Sequence, residues 1–291
     1  MNSWNEIYSR LDPVAFEAFG FEVHWYSLAY LSALICALLL AKFWIRGDKK
    51  RFPISAMTLE GYFIWAEIGV ILGARIGYIF IYDPYWEYYL LHPWQIFNPW
   101  DEAGNFVGIR GMSYHGALVG FLLSSILFSY FKKVHFLMLL DVIAISVPLA
   151  YVFGRVGNFL NQELVGRVIT NPKWDFLGIL VNGQLRYPSQ LIEAFLEGVV
   201  VFFVVFFVSK KSTMQGSLIV AYGVAYSIAR FVSEYFRQPD EQLGTYFGMF
   251  SMGQILSIVM LAFSGVIYFV ACKQRDSLQK ASRKKVTNPK K

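Results

Sequence analysis

The chain has 291 residues, 56% of them hydrophobic and 18% aromatic, with a mean hydropathy of +0.44. A soluble domain is less apolar and carries more charge than the 16% present here, so the composition excludes a soluble globular protein and indicates a membrane protein. The formal charge of +6 is no nucleic-acid footprint, because the basic residues sit at the ends of apolar runs rather than in one patch, and no nucleic-acid partner is expected.

The N-terminal residues 1–23 carry Glu6, Arg10, Asp12, Glu17 and Glu22 and have no basic n-region, so no cleavable signal peptide is expected. Hydropathy predicts an all-α polytopic membrane protein of about seven transmembrane helices, roughly at 26–45, 61–82, 115–132, 136–154, 190–208, 215–236 and 251–272. Together these make one integral-membrane domain over residues 1–273. A short basic tail, 274–291, is expected to be disordered. Cys36 and Cys272 fall in or beside apolar runs and read as small buried residues rather than a disulfide pair.

Basic residues then orient the spans. Arg46–Arg51, Lys132-Lys133, Lys210-Lys211 and the tail lysines all fall on one side, which the positive-inside rule makes cytoplasmic. The N-terminus is then outside and the C-terminus inside. The outer loops are longer, at roughly 83–114, 155–189 and 237–250. The first is dense in Tyr and Trp, which suits a segment in the headgroup layer. The second spans residues 155–189. Its Asn182-Gly183 predicts a two-stranded ribbon. Outer basic residues are almost all arginine: Arg10, Arg75, Arg110, Arg155, Arg167, Arg186, Arg230 and Arg237, against one lysine, Lys173. A guanidinium offers a planar fork of donors, so this bias points to recognition of an oxyanion.

The chain turns on residues 154–167, GRVGNFLNQELVGR. Arg155, Asn158, Asn161, Glu163 and Arg167 follow directly on an apolar run, an arrangement suited to holding a phosphate. The competing reading is a helix end whose arginine snorkels to headgroups. In the sixth span Arg230 and Arg237 are seven apart and so share a helical face, with Glu234 between them able to pair with either. One carboxylate for two arginines predicts a positive stripe, and the alternative is an internal ion-pair ladder. In the fifth span Ser189 is a candidate N-cap, and Glu193 and Glu197 share a face as neutralising partners for arginines of neighbouring spans. His115 opens the third span, where it reads either as a structural interface residue or as a proton acceptor near neutral pH. Tyr26, Arg75, His115, Arg155, Asn158, Glu163, Arg230 and Arg237 all map to the outer half. That convergence predicts one guanidinium-rich cavity open to the outer leaflet, with an anionic phospholipid as occupant. The four histidines (24, 92, 115 and 135) lack ligand spacing, so no metal is implied, and no phosphate-binding loop or nucleophile elbow is present. No cofactor is expected. An anionic-lipid transporter or flippase is the alternative from another class, although no internal repeat is evident.

At these residues the sequence resembles the bacterial prolipoprotein diacylglyceryl transferases. The resemblance rests on HWYSLAY (24–30), LGARIGY (72–78), GMSYHGALVG (111–120), GRVGNFLNQE (154–163), RYPSQLIEAFLEG (186–198), ARFVSEYFRQPDEQ (229–242) and SMGQILS (251–257), in that order along nearly the whole chain. It implies an inner-membrane transferase of seven spans with a small periplasmic head, mainly residues 155–189. Its partners would be phosphatidylglycerol, membrane lipids and the signal peptide of a prolipoprotein with its lipobox cysteine. His115, Arg155 and Arg230 match the catalytic positions. Tyr26, Arg75, Asn158, Glu163, Glu234 and Arg237 match or accompany positions linked to phosphatidylglycerol binding. Many members carry His where this chain has Tyr187, so any histidine role there passes to His115.

Overall fold

The computed structural model describes residues 3–18, 20–101, 103–106, 108–109, 111–239, 245–246 and 250–287, with backbone alone for 245–246 and 278–287. Arg110, the 240–242 end of the sixth motif and the last four tail residues therefore lie outside the described residues. Numbered in chain order, the helices are α1 (Trp25–Gly47), α2 (Ala56–Tyr82), α3 (Trp86–Leu91), α4 (Tyr114–Lys132), α5 (Phe136–Leu160), α6 (Ser189–Glu193), α7 (Val201–Lys211), α8 (Ser217–Ser233) and α9 (Met252–Thr287). A π-helical segment, Ala194–Val200, joins α6 to α7 without a break. The short strands are β1 (Val14–Ala18), β2 (Phe21–His24), β3 (Ile179–Val181), β4 (Gln184–Arg186), β5 (Thr245–Tyr246) and β6 (Phe250–Ser251), paired as three antiparallel ribbons.

Among the described residues, six helices are long and apolar enough to cross a membrane: α1, α2, α4, α5, the continuous Ser189–Lys211 and the first part of α9. The shorter apolar α8 makes the seventh, and the protein is an all-α polytopic membrane protein as the hydropathy predicts. The chain divides into two compact units, Met1–Phe52 with Leu140–Lys291, and Pro53–Leu139.

In the smaller unit, α2 and α4 pack through small residues. A Cβ on Gly69, Gly73 or Gly77 would strike the backbone of Gly120 or Gly116 or the side chain of Ser124. Helices in lipid gain by such close backbone approach, since burial from water contributes nothing there. Tyr62 and Ser125 share a buried hydrogen bond of 2.9 Å across the same pair.

In the larger unit, helix boundaries depart from expectation in three places. α5 runs to Leu160, beyond the predicted end at 154. Two glycines in this stretch cost helical propensity of about 1 kcal/mol each. Gly157, however, lies against Ala29 and Tyr26 of α1, where no larger residue fits, and that packing carries the helix onward. It ends in a Schellman closure, with Glu163 N–H donating to Asn158 O (3.1 Å), Gln162 N–H to Phe159 O (3.0 Å), and Gln162 left-handed at φ 57°. Glycine usually fills that position. Here the glutamine side chain donates to the carbonyls of Tyr8 (3.1 Å) and Leu11 (2.9 Å), tying the N-terminal segment to the helix end.

The second departure is at α8, which stops at Ser233, so Arg237 lies beyond the helix rather than on its face. The open carbonyls of its last turn are met by the N–H groups of the turn that follows, Glu234 donating to Arg230 O and Arg237 to Ser233 O (both 3.2 Å), and the carbonyls beyond that turn are met by segment 166–168. Arg167 N–H donates to Phe236 O (2.8 Å) and its Nε to Arg237 O (2.9 Å). The third is the tail, where α9 is helical to Thr287 rather than disordered from 274. That stretch is rich in Lys and Arg, which favour a helix, and holds no Gly or Pro until Pro289.

The ribbon expected at Asn182-Gly183 is β3–β4, and both turn residues have positive φ, 49° and 77°. It packs on a small core of Tyr8, Phe159 and Ile179, with Trp4 stacked on Phe159 at 5.9 Å. Asn5 clamps the approach to β3, donating to Asp175 O (2.9 Å) and Gly178 O (2.6 Å). Burial pushes the Tyr8 phenol well above its ordinary value, so it stays protonated, and its oxygen accepts from Gln190 Nε2 at 3.1 Å.

Candidate active site

Four segments of the larger unit bring charge together. Tyr151, Arg155 and Asn158 lie on one face of α5, four and three residues apart. Glu193 comes from α6 and Glu197 from the π segment. Arg230 and Ser233 come from the last turns of α8, with Glu234 and Arg237 just beyond it. Ser251 precedes α9. The widened π turn lets Gly198 sit against Val152 and the Pro148 carbonyl of α5, so the two helices approach closely beside the charges.

Glu193 is the hub. Its Oε2 lies 3.0 Å from Arg155 Nη2 and 3.3 Å from Arg230 Nη1, and its Oε1 lies 3.6 Å from Arg237 Nη1. Glu197 Oε1 is 3.4 Å from Arg230 Nη1 and accepts from Ser233 Oγ at 2.5 Å. Glu234 pairs with Arg230 and accepts from Ser251 Oγ at 2.6 Å. Ser251 and Gln254 form a reciprocal capping box at the start of α9, which fixes that hydroxyl (3.0 and 3.2 Å).

The stripe that the sequence leaves positive thus meets three carboxylates for three guanidinium groups. Glu193 and Glu197 take the neutralising role expected of them. The two charge types differ in access. Side chains of Glu193, Glu197 and Glu234 are 1%, 0% and 4% exposed, while those of Arg155, Arg230 and Arg237 are 15%, 16% and 12% exposed. Carboxylates form the back of the cluster and guanidinium edges its accessible side. Buried ion pairs of this kind hold only when each charge keeps its partners. A preorganised array of donors in a water-poor setting is also what stabilises developing negative charge most strongly.

The other expected residues of this unit lie nearby. Asn158 accepts from Arg155 Nη1 (3.3 Å) and donates to Glu163 Oε1 (3.1 Å). Tyr26 opens α1 beside Gly157, its backbone N–H donating to Asn161 Oδ1 at 3.1 Å. Arg75 and His115 belong to the smaller unit. Arg75 is buried and donates to the Ile96 (2.5 Å) and Gly111 (3.2 Å) carbonyls, which pins the aromatic segment after α2. His115 is exposed in the first turn of α4, after the N-cap Ser113, with Nδ1 3.4 Å from the Tyr82 hydroxyl.

The sequence profile described as prolipoprotein diacylglyceryl transferase matches residues 13–270. The phosphatidylglycerol–prolipoprotein diacylglyceryl transferase of Helicobacter pylori strain J99 is 55% identical over 281 residues, covering 96% of this chain and 99% of that protein. Those of Helicobacter acinonychis strain Sheeba and Helicobacter hepaticus are 54% and 53% identical, over 96% and 97% of this chain and 99% and 98% of theirs.

The chain belongs to the prolipoprotein diacylglyceryl transferase family.

The motif blocks carry the family resemblance, but they do not single out some residues that hold this member's cluster together. Tyr151 sits in an apolar run and reads as core, yet its hydroxyl accepts from Arg155 Nε (2.6 Å) and donates to Glu197 Oε2 (2.5 Å). Ser233 and Ser251 lie inside the quoted motif blocks without being singled out there, yet each donates to a buried carboxylate. The signal open to a reader was position: Tyr151 lies four residues before Arg155, on the same helical face.

Proposed function

We propose that this protein transfers the diacylglyceryl group of phosphatidylglycerol to the thiol of a lipobox cysteine in a prolipoprotein. The sulfur attacks the glycerol carbon that bears the phosphodiester oxygen. A C–S bond forms, the C–O bond breaks, and glycerol 1-phosphate leaves with the electron pair. The thiol proton passes to a base and ends on the leaving phosphate.

The observation that carries this reading is the set of guanidinium edges over buried carboxylates. Arg155 and Arg230 act as the catalytic arginines that stabilise charge growing on the leaving phosphate. Asn158, Glu163, Glu234 and Arg237 support these arginines, and the family resemblance assigns Tyr26, Arg75, Asn158, Glu163, Glu234 and Arg237 to phosphatidylglycerol binding. His115 takes the thiol proton. A thiol has a reference pKa near 8.5, so deprotonation at neutral pH needs such help. The protein would work in the bacterial inner membrane with its N-terminus periplasmic, its C-terminus cytoplasmic and its site toward the periplasmic leaflet. The clustering of lysines on one side of the spans supports that orientation. The transporter alternative gains no support from the relatives.

Purified protein in detergent, given phosphatidylglycerol and a lipobox peptide, should add one diacylglyceryl mass to the peptide and release glycerol phosphate. Arg155→Ala should do neither. Lipid binding without any thioether product would defeat the transferase reading.

A further inference from the structure

We propose that Tyr151 is a positioning residue for Arg155, holding its guanidinium in the orientation that catalysis uses. This rests on the transferase reading above.

The two residues are four apart on α5, so their side chains leave the same face. The Tyr151 ring lies 4.9 Å from the Arg155 guanidinium carbon, a cation–π contact that sets one face of the group. The hydroxyl then accepts from Nε at 2.6 Å and donates to Glu197 Oε2 at 2.5 Å. One phenol therefore contacts the guanidinium by face and by edge while anchored to a carboxylate that is 0% exposed.

The arrangement has an electrostatic consequence. Glu197 is held to Tyr151, Ser233 and Arg230, and a neutral hydroxyl stands between it and Arg155. Arg155 is thus kept from collapsing onto a second carboxylate and has Glu193 as its one ion-pair partner among the described residues. Of the five guanidinium donors, Nε serves Tyr151, while Nη1 serves Asn158 and Nη2 faces Glu193. Donors on the two terminal nitrogens remain for phosphate oxygens. Without the hydroxyl, Nε and Glu197 Oε2 lose a shared partner, and the shortest repair is for Arg155 to swing to Glu197.

The test compares the parent, Tyr151→Phe, Arg155→Lys and the double variant, by kcat and KM for phosphatidylglycerol with the lipobox peptide and by thermal melting in detergent. Tyr151→Phe should lower kcat about 10- to 100-fold, as expected for losing one hydrogen bond to a charged group, with KM close to the parent and the melting temperature only modestly lowered by the two buried groups left short of a partner. Arg155→Lys has no Nε donor, so the double variant should be no slower than Arg155→Lys alone. Parent-like kcat in Tyr151→Phe overturns the proposal. So do losses that multiply in the double variant, because Tyr151 would then act apart from Arg155. A collapse in melting temperature also overturns it, since the hydroxyl would then support the fold. A parent that forms no thioether defeats the transferase reading itself, whereas an active parent with an equally active Tyr151→Phe defeats only the role of Tyr151.

Discussion

Arg51 and Asp141, ninety residues apart, form an ion pair of 3.3 Å whose side chains are 3% and 1% exposed. The pair closes the start of α8. Asp141 accepts from the backbone N–H groups of Gly216 (2.8 Å), Leu218 (2.9 Å) and Ile219 (3.0 Å), and Arg51 donates to Ser212 O (2.5 Å) and Ser217 Oγ (2.8 Å). A carboxylate borrowed from α5 thus caps α8, which has no side-chain cap of its own.

Asp141→Ala should therefore destabilise the protein by about 3–5 kcal/mol, because it leaves a buried guanidinium and three amides without their partner. Asp141→Asn keeps an acceptor and should lose less. Thermal melting in detergent separates the two. Equal melting of the parent and Asp141→Ala would show that the cap contributes nothing.

Gly166 is caught between two carbonyl oxygens, those of Tyr187 and Phe236, at the place where segment 166–168 pairs with both the ribbon and the end of α8. A methyl group there collides with backbone on both sides, which no rotamer change relieves. Gly166→Ala should cost about 1–3 kcal/mol or more and should displace Arg237, whose carbonyl Arg167 holds. Reduced melting temperature together with a raised KM for phosphatidylglycerol is the expected pair of results. An unchanged KM would mean that the strand and Arg237 are not coupled.

These features divide what the sequence discloses from what it hides. The spans were legible because each needs a long apolar run whatever its neighbours, and the β3–β4 turn because Asn-Gly satisfies two positive φ angles locally. The arginines stood out because a charge in an apolar run is costly without a reason. Tyr151 and Gln162 did not, since each looks like an ordinary polar residue and its meaning lies in partners 46 and 151 residues away; Asp141 is a charge in an apolar run, but the helix start it caps lies 75 residues away. The end of α5 was misplaced for the same cause: local glycine cost is visible in sequence, whereas packing against α1 is not.

Glu193 contacts three arginines, so Glu193→Gln should act differently from an arginine variant. It leaves three guanidinium groups with two charged partners in a buried setting, and stability should fall by about 3–5 kcal/mol. The accessible edges become more positive, so binding of phosphatidylglycerol over a zwitterionic lipid should persist or tighten in the folded fraction. Lipid binding by the detergent-solubilised variant, read beside its melting curve, checks both parts. Loss of lipid binding with parent-like melting would contradict the assignment of Glu193 as a back-side neutraliser.

His115 carries the proposed base role, and its contacts define how to test it. The ring is exposed, and its Nδ1 lies 3.4 Å from the Tyr82 hydroxyl, which leaves Nε2 as the nitrogen available to a thiol. His115→Gln keeps a polar side chain of similar reach but cannot accept a proton near neutral pH, so kcat should fall about 10²- to 10⁴-fold if the imidazole removes the thiol proton. Tyr82→Phe removes the partner of Nδ1 and should cost far less, because a bond of that length is weak. The alternative is that the field of Arg155 and Arg230 lowers the thiol pKa unaided. In that case His115→Gln turns over at nearly the parent rate, and the same variant assayed with a peptide of lowered thiol pKa shows no gain relative to the parent. Recovery of His115→Gln by such a peptide, with no equal gain in the parent, is the result expected of a base that has been removed.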